Sequence, residues 1–164
     1  MSEKRIFLFQ GPNLNRARDP ELYGEFELNQ ILKDLGLLCQ KRGFVFEYFQ
    51  SNHEGELIDR IHELIDNDEV SGLVYNFGGL SHSSVSLLDA LSMLRNVPRI
   101  EVHLSHLAKR ESYRQQQITA AGAHAFISGL GYYGYLVAAE SIIYFHSTEE
   151  GRKKCMIPTS FAKD

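Results

Sequence analysis

Cysteine is scarce in this chain: Cys39 and Cys155 are the only two among 164 residues, and they form no ligand pattern. That excludes a disulfide scaffold and fits a reducing cytosol. Cys39 falls on a helical apolar stripe, which reads as a buried thiol. Positive charge is not in excess either. Lys plus Arg total 17 against 21 Asp plus Glu, a net charge of −4. A mildly acidic balance argues against a clamp on duplex nucleic acid, which needs a basic face. Long apolar runs are missing. Met1 to Lys4 is short and polar, and Ile6 to Phe9 is too brief for the core of a signal peptide. Tyr132 to Phe145 carries Glu140 and Ser141 in its middle and falls short of the ~20 residues of a spanning helix. A cytoplasmic protein that engages neither membrane nor nucleic acid is expected. Hydrophobic residues make up 43% and charged residues 23%, which is ordinary for a globular chain and excludes disorder. The length suits a single domain with a sizeable core.

The apolar pattern alternates strand and helix. Ile6–Phe9 is a short strand ending in the turn cluster Gln10-Gly11-Pro12-Asn13. Leu28, Ile31, Leu32, Leu35 and Leu38 recur at helical spacing, with Gly43 as a C-terminal cap. Phe44–Phe49 reads as a second strand, Leu57 to Ile65 as a helix and Leu73–Tyr75 as a third strand. Val85 to Leu94 is helical and Ile100–Leu104 is a fourth strand. Lys109–Arg114 is a short helix, Ala123–Ile127 a fifth strand, and a last helix runs to about His146. The expected division is a domain over 1–146 and a polar tail over 147–164. Alternation of this kind implies an α/β fold, a five-stranded parallel sheet covered by helices on both faces. The flavodoxin-like strand order is the simplest choice, and such sheets bind ligands beyond the carboxyl ends of their strands.

Those strand ends are rich in amides, histidines and hydroxyls. The segment from Gly11 through Arg16, Arg18 and Tyr23 to Gly24 is long for a strand-to-helix connection. It reads either as an ordinary surface loop or as a movable lid that brings Arg18 and Tyr23 over a ligand. Asn76-Phe77-Gly78-Gly79-Leu80-Ser81-His82 leads into a helix that Ser83 or Ser84 can cap. Its glycines allow close backbone approach, and the helix start favours an anion. Glu101 and His103 alternate along one strand and therefore share a face. A carboxylate beside an imidazole orients the ring, the usual arrangement for a general acid. Arg110 and Arg114, four apart, form either a solvated charged face or a clamp for a carboxylate.

Other chemistries find no pattern. The chain has no Gly-x-Ser-x-Gly elbow, kinase signature or His-Glu-x-x-His. Glu101, His103 and His106 do not match a zinc spacing, and neither metal nor cofactor is expected. Gly129-Leu130-Gly131-Tyr132-Tyr133-Gly134 matches the dinucleotide fingerprint, yet only polar sequence follows the last helix. These glycines read as close packing at a strand–helix junction.

Taken together, the chain resembles the type II 3-dehydroquinate dehydratase family from about Ile6 to Phe145. The resemblance rests on Gly11-Pro12-Asn13-Leu14-Asn15, Arg18-Asp19-Pro20 with Tyr23-Gly24, and Gln50-Ser51-Asn52-His53-Glu54-Gly55. It continues through Asn76 to Ser84 with Asp89-Ala90, Ile100-Glu101-Val102-His103-Leu104-Ser105, Arg110-Glu111, Arg114, and Gly129 to Tyr135.

The resemblance implies a metal-free, cofactor-free hydro-lyase that converts 3-dehydroquinate to 3-dehydroshikimate by trans elimination through an enolate. Tyr23, as tyrosinate, would be the base, with Arg18 stabilising it. His103 would protonate the departing hydroxyl, oriented by Glu101, and Asn13 would hold a water against the enolate oxygen. Asn76, His82, Asp89 and Arg114 would bind the hydroxyls and carboxylate, helped by the backbone of Leu104 and Ser105. Arg110 would support the lid or a neighbouring subunit. The family assembles as a homododecamer, a tetramer of trimers. Departures from the family pattern fall around the lid: Arg16-Ala17 is shorter than usual, Asp19 replaces glutamate, and His106 and Gln115-Gln116-Gln117 are atypical. Two other readings compete. One is a nucleotide- or phosphate-binding module using Gly78, Gly79 and Ser81, and the other is a family member without activity.

Overall fold

A computed structural model of the chain describes residues 3–17, 19–23 and 27–147, with Leu22 and Tyr23 described by backbone alone. Five strands form one sheet: β1 (Arg5–Gln10), β2 (Val45–Gln50), β3 (Val70–Asn76), β4 (Arg99–His103) and β5 (Ala125–Ser128). Every pairing is parallel and the order is β2-β1-β3-β4-β5. This is the flavodoxin-like order, which reverses direction between β1 and β3.

Four longer helices cover the sheet: α2 (Leu28–Lys41), α3 (Glu54–His62), α4 (Val85–Met93) and α5 (Tyr133–Ser147). A single turn, α1 (Pro20–Tyr23), lies in the long segment after β1. Helix α2 packs against α5 on one face, and α3 against α4 on the other. The alternation along each strand feeds the two cores separately. Ile6 and Leu8 of β1 join Ile31, Leu35 and Ile142, whereas Phe7 and Phe9 join Leu57, Ile61 and Leu87. Burying one such side chain fully stabilises the fold by ~1.5–3 kcal/mol. On β4, Ile100 and Val102 enter the first core. Strand pleating then turns Glu101 and His103 to the opposite face, where both are buried.

Local signals explain most element ends. Ser84 caps α4 by accepting from the Leu87 N–H at 2.9 Å. Gly43 takes φ +78 just after α2, the left-handed stop expected of it. Cys39 is fully buried, and burial with the Glu140 carboxylate nearby pushes its thiol up to about 11.

One expected element is replaced. Lys109–Arg114 is not a helix but parts of two 3-10 turns, Leu107–Lys109 and Ser112–Gln115, separated by extended backbone at Arg110. The Glu111 carbonyl accepts from the Arg114 N–H at 2.9 Å and so starts a new turn instead of continuing the first. The fifth strand begins at Ala125 rather than Ala123, because Gly122 and Ala123 close the turn Thr119–Gly122. Of the expected tail, Ser147 ends α5 and residues 148–164 lie outside the described residues.

Candidate active site

A cleft of about 540 Å³ opens at the carboxyl ends of β1, β3 and β4. That is the topological switch point, where such sheets receive ligands. Its floor is two loops in backbone contact. A Cβ on Gly11, just past β1, would lie 2.5 Å from the Phe77 carbonyl oxygen past β3. Gly78 takes φ +59, and a Cβ there would meet the Pro12 carbonyl at 3.0 Å. No side chain fits between these loops: contact alone requires glycine at position 11, whereas contact and a left-handed backbone together require it at position 78.

Asn13 stands on this floor with φ +70, a left-handed conformation that asparagine tolerates better than most residues. Asn13 is one of the residues lining the cleft. Asn76, at the end of β3, is 2% exposed and reaches the cleft from below. Its Oδ1 accepts from the Gly78 N–H at 3.1 Å, and its Nδ2 donates to the Tyr135 hydroxyl at 2.9 Å. Tyr135 also receives the Gln10 amide at 2.7 Å, and Gln10 in turn accepts from the Tyr48 hydroxyl at 2.8 Å. A fully buried phenol on α5 thus ties the ends of β1 and β3 together. Burial raises the Tyr135 pKa well above the ordinary phenol value, so it stays protonated.

The wall past β4 carries the acid–base pair. His103 Nε2 lies 2.7 Å from Glu101 Oε1, with Glu101 wholly buried. The second carboxylate oxygen accepts from the Thr119 hydroxyl at 2.8 Å. The Thr119 carbonyl accepts from the Tyr75 hydroxyl at 2.8 Å, locking the turn that carries it. Each oxygen of this buried carboxylate has a partner, as a buried charge demands. His103 is flanked by the His82 ring at 5.7 Å and the Phe126 ring at 5.5 Å. His82 Nδ1 is fixed 2.8 Å from the Gln116 carbonyl. Burial lowers the His82 pKa below the ordinary imidazole value, and the charges of His103 and Arg114 push the same way.

Arg110 and Arg114 converge although no helix joins them. Each donates through Nε to Glu111 Oε2 at 3.1 Å, and Arg110 also reaches Ser105 Oγ at 3.0 Å. A hydrogen bond from its own backbone N–H, then Arg110, holds the Glu111 carboxyl down to about 2. Both guanidiniums line the cleft with Arg16, Asp19, Leu104 and Ser105.

The structure therefore gathers Asn13, Asn76, His82, His103, Leu104, Ser105 and Arg114 around one cleft, with Glu101 directly behind His103. Asp89 is not among them; it is exposed on α4 and absent from the cleft lining. Arg18 lies outside the described residues, and so does the Tyr23 side chain, whose backbone ends α1. Thr119 and Gln10 go unflagged as site residues in the sequence, because neither sits in a chemical motif. Gly134, in the dinucleotide-like run, packs against Val102, where a Cβ would come within 2.9 Å. Among the described residues, no group of three or more His, Cys, Asp or Glu is placed to hold a metal ion.

The family model described as Dehydroquinase class II matches residues 4–143. The chain belongs to the class II dehydroquinase family. Among relatives of this family, the catabolic 3-dehydroquinase of Phaeosphaeria nodorum is 45% identical over 139 residues, covering 84% of this chain and 90% of the relative. The 3-dehydroquinate dehydratase of Thermotoga maritima is 41% identical over 140 residues, 84% of this chain and 94% of that protein. The crystal structure of the type II dehydroquinase from Butyrivibrio crossotus superimposes with a TM-score of 0.80 at 32% identity, covering 85% of this chain and 97% of that one. Class II dehydroquinase membership thus accounts for both the strand order and the cleft at the switch point.

Proposed function

We propose that this chain is a hydro-lyase that dehydrates 3-dehydroquinate to 3-dehydroshikimate through an enolate. The buried Glu101–His103 pair at 2.7 Å, set in the wall of a cleft lined by Asn13 and Asn76, is the observation that carries this reading. The family membership and the names of the relatives point to the same reaction.

The steps follow from the residue types. Tyr23, as phenolate beside Arg18, takes the proton alpha to the ketone, and the electron pair moves onto the carbonyl oxygen. A free phenol has a pKa near ~10, so the neighbouring guanidinium is what makes it a base near neutral pH. Asn13 steadies the enolate oxygen through a held water. The enolate then collapses, the carbon–oxygen bond of the tertiary hydroxyl breaks, and His103 supplies the proton that lets it leave as water. Glu101 engages Nε2, so Nδ1 is the nitrogen that delivers this proton. Asn76, neutral His82 and Arg114 take the substrate's hydroxyls and carboxylate, with the Leu104 and Ser105 backbone. Asp89, exposed on α4, joins this set only through a further chain or a rearrangement.

The phosphate-module reading is not favoured: Ser81, one of the three residues it needs, is wholly buried. A homododecamer and a cytoplasmic location complete the proposal. The exposed Phe126, Tyr133 and Tyr144 support self-association, which light scattering would measure. For location, no helix among the described residues is long and apolar enough to cross a membrane.

The test follows enone absorbance after 3-dehydroquinate is added. A rise with the wild-type chain, lost in Tyr23→Phe, is expected. A silent wild type overturns the activity. A Tyr23→Phe variant as fast as wild type overturns the mechanism and leaves the substrate standing. A flavin or nucleotide retained on purification would favour the binding-module reading.

A further inference from the structure

We infer that Asn52 is a positioning residue for the reaction: its carboxamide holds Asn13 in the left-handed backbone conformation that presents the Asn13 side chain to the enolate. Asn13 has φ +70 and its N–H donates to Asn52 Oδ1 at 2.9 Å. The same oxygen accepts from Gln50 Nε2 at 3.2 Å, and Gln50 Nε2 also reaches the Gly11 carbonyl at 3.2 Å. The Gln50-Ser51-Asn52 stretch past β2 therefore grips the loop past β1 at two points, Gly11 and Asn13. Ser51 anchors the grip: its N–H donates to the Gln10 carbonyl at 3.1 Å, and its hydroxyl caps the turn into α3 through the His53 N–H at 2.9 Å.

Gln50, Ser51 and Asn52 are absent from the cleft lining, so a direct contact with a small ligand is not their role. Gln50 holds Gly11, and Asn52 is the residue that holds Asn13 itself. Asparagine visits positive φ more readily than most residues, as the exposed Asn96 does, so holding Asn13 in that one conformation beside the cleft falls to its surroundings. These surroundings have identifiable parts. The Asn13 carbonyl accepts from the Arg16 N–H at 2.9 Å, and the Asn13 N–H is taken by Asn52. The Asn13 carboxamide makes no capping bond to the turn it precedes, which leaves it for the ligand side. Without Asn52 the peptide at Asn13 is free to return to a right-handed conformation, and the carboxamide swings off its mark.

The inference rests on the proposed dehydration, in which Asn13 serves the enolate oxygen. Its test is a double-mutant cycle on the intact chain with 3-dehydroquinate. Asn52→Ala is expected to lower kcat by ~10- to 100-fold, the scale of a small misplacement of a reacting group, with KM changed far less. In the Asn13→Ala background the same change should cost almost nothing more, since a residue acting only through another adds no second loss. Asn52→Asp keeps the oxygen that accepts both bonds and should restore most of kcat. Should Asn52→Ala not fold, Asn52→Thr takes its place in the cycle. Multiplicative losses in the double variant, or Asn52→Ala turning over as fast as wild type, overturn the inference while leaving the activity intact. A wild type that does not dehydrate 3-dehydroquinate removes the proposed function instead.

Discussion

Tyr135→Phe removes one oxygen from the floor of the cleft and strands two amides. Gln10 Nε2 at 2.7 Å and Asn76 Nδ2 at 2.9 Å both donate to that hydroxyl, and the two residues are 0% and 2% exposed. Water cannot replace the lost acceptor without opening the core. A buried donor left without a partner costs ~1–3 kcal/mol, so two cost ~2–6 kcal/mol. The ring itself stays, and the packing of α5 on the sheet is kept, so no cavity is added to that figure. Urea unfolding followed by circular dichroism should show an unchanged slope and a midpoint lower by ~1–3 M, taking a slope of about 2 kcal/mol per M for a domain of this size. Because Asn76 lines the cleft, KM for 3-dehydroquinate should rise as its amide loses its anchor. An unchanged midpoint with unchanged KM would refute the claim that the phenol ties the two strand ends together.

Two further outcomes follow from buried groups. Thr119→Val should destabilise the fold by ~1.5–3 kcal/mol, the range for a hydrogen bond to a charged group, and should lower kcat because Glu101 loses the donor that fixes it against His103. Thr119→Ser should recover both in the same unfolding and turnover measurements; failure of serine to rescue would sink the hydroxyl's role. Cys39, raised from an ordinary 9.0 to about 11, is held as the neutral thiol. A group whose folded value is raised adds stability below its unfolded value and loses it as pH climbs through the folded one. Its contribution is therefore complete below pH 9.0 and fades towards about 11. In a Cys155→Ser background, iodoacetamide at pH 8 should leave the native chain unlabelled and modify it in urea; rapid native labelling would contradict the burial.

The strand–helix alternation was readable because each strand's apolar residues feed two separate cores. Ile6 and Leu8 face one, and Phe7 and Phe9 the other. The Glu101–His103 pair was equally legible, since a period of two fixes a shared face whatever the tertiary setting. What supports that pair was not. Thr119 reaches Glu101 from a turn 18 residues away, and Tyr135 reaches Gln10 across 125 residues. Spacing cannot encode contacts that only the closed sheet creates. The Lys109–Arg114 segment misled for the opposite reason: its helical spacing placed two arginines together, yet the structure joins them through the Glu111 carboxylate rather than through a helix face.

The paired approaches of Gly11 to Phe77 and of Gly78 to Pro12 have one more bearing on how the cleft behaves. Main chain rests on main chain there, with no side chain between to swing aside. The pit beneath a ligand is consequently unable to widen for a bulkier guest. Accommodation must come from the side-chain walls, where His82, Arg110 and Arg114 stand, so the depth of the pit is built into the bedrock while only its sides can give.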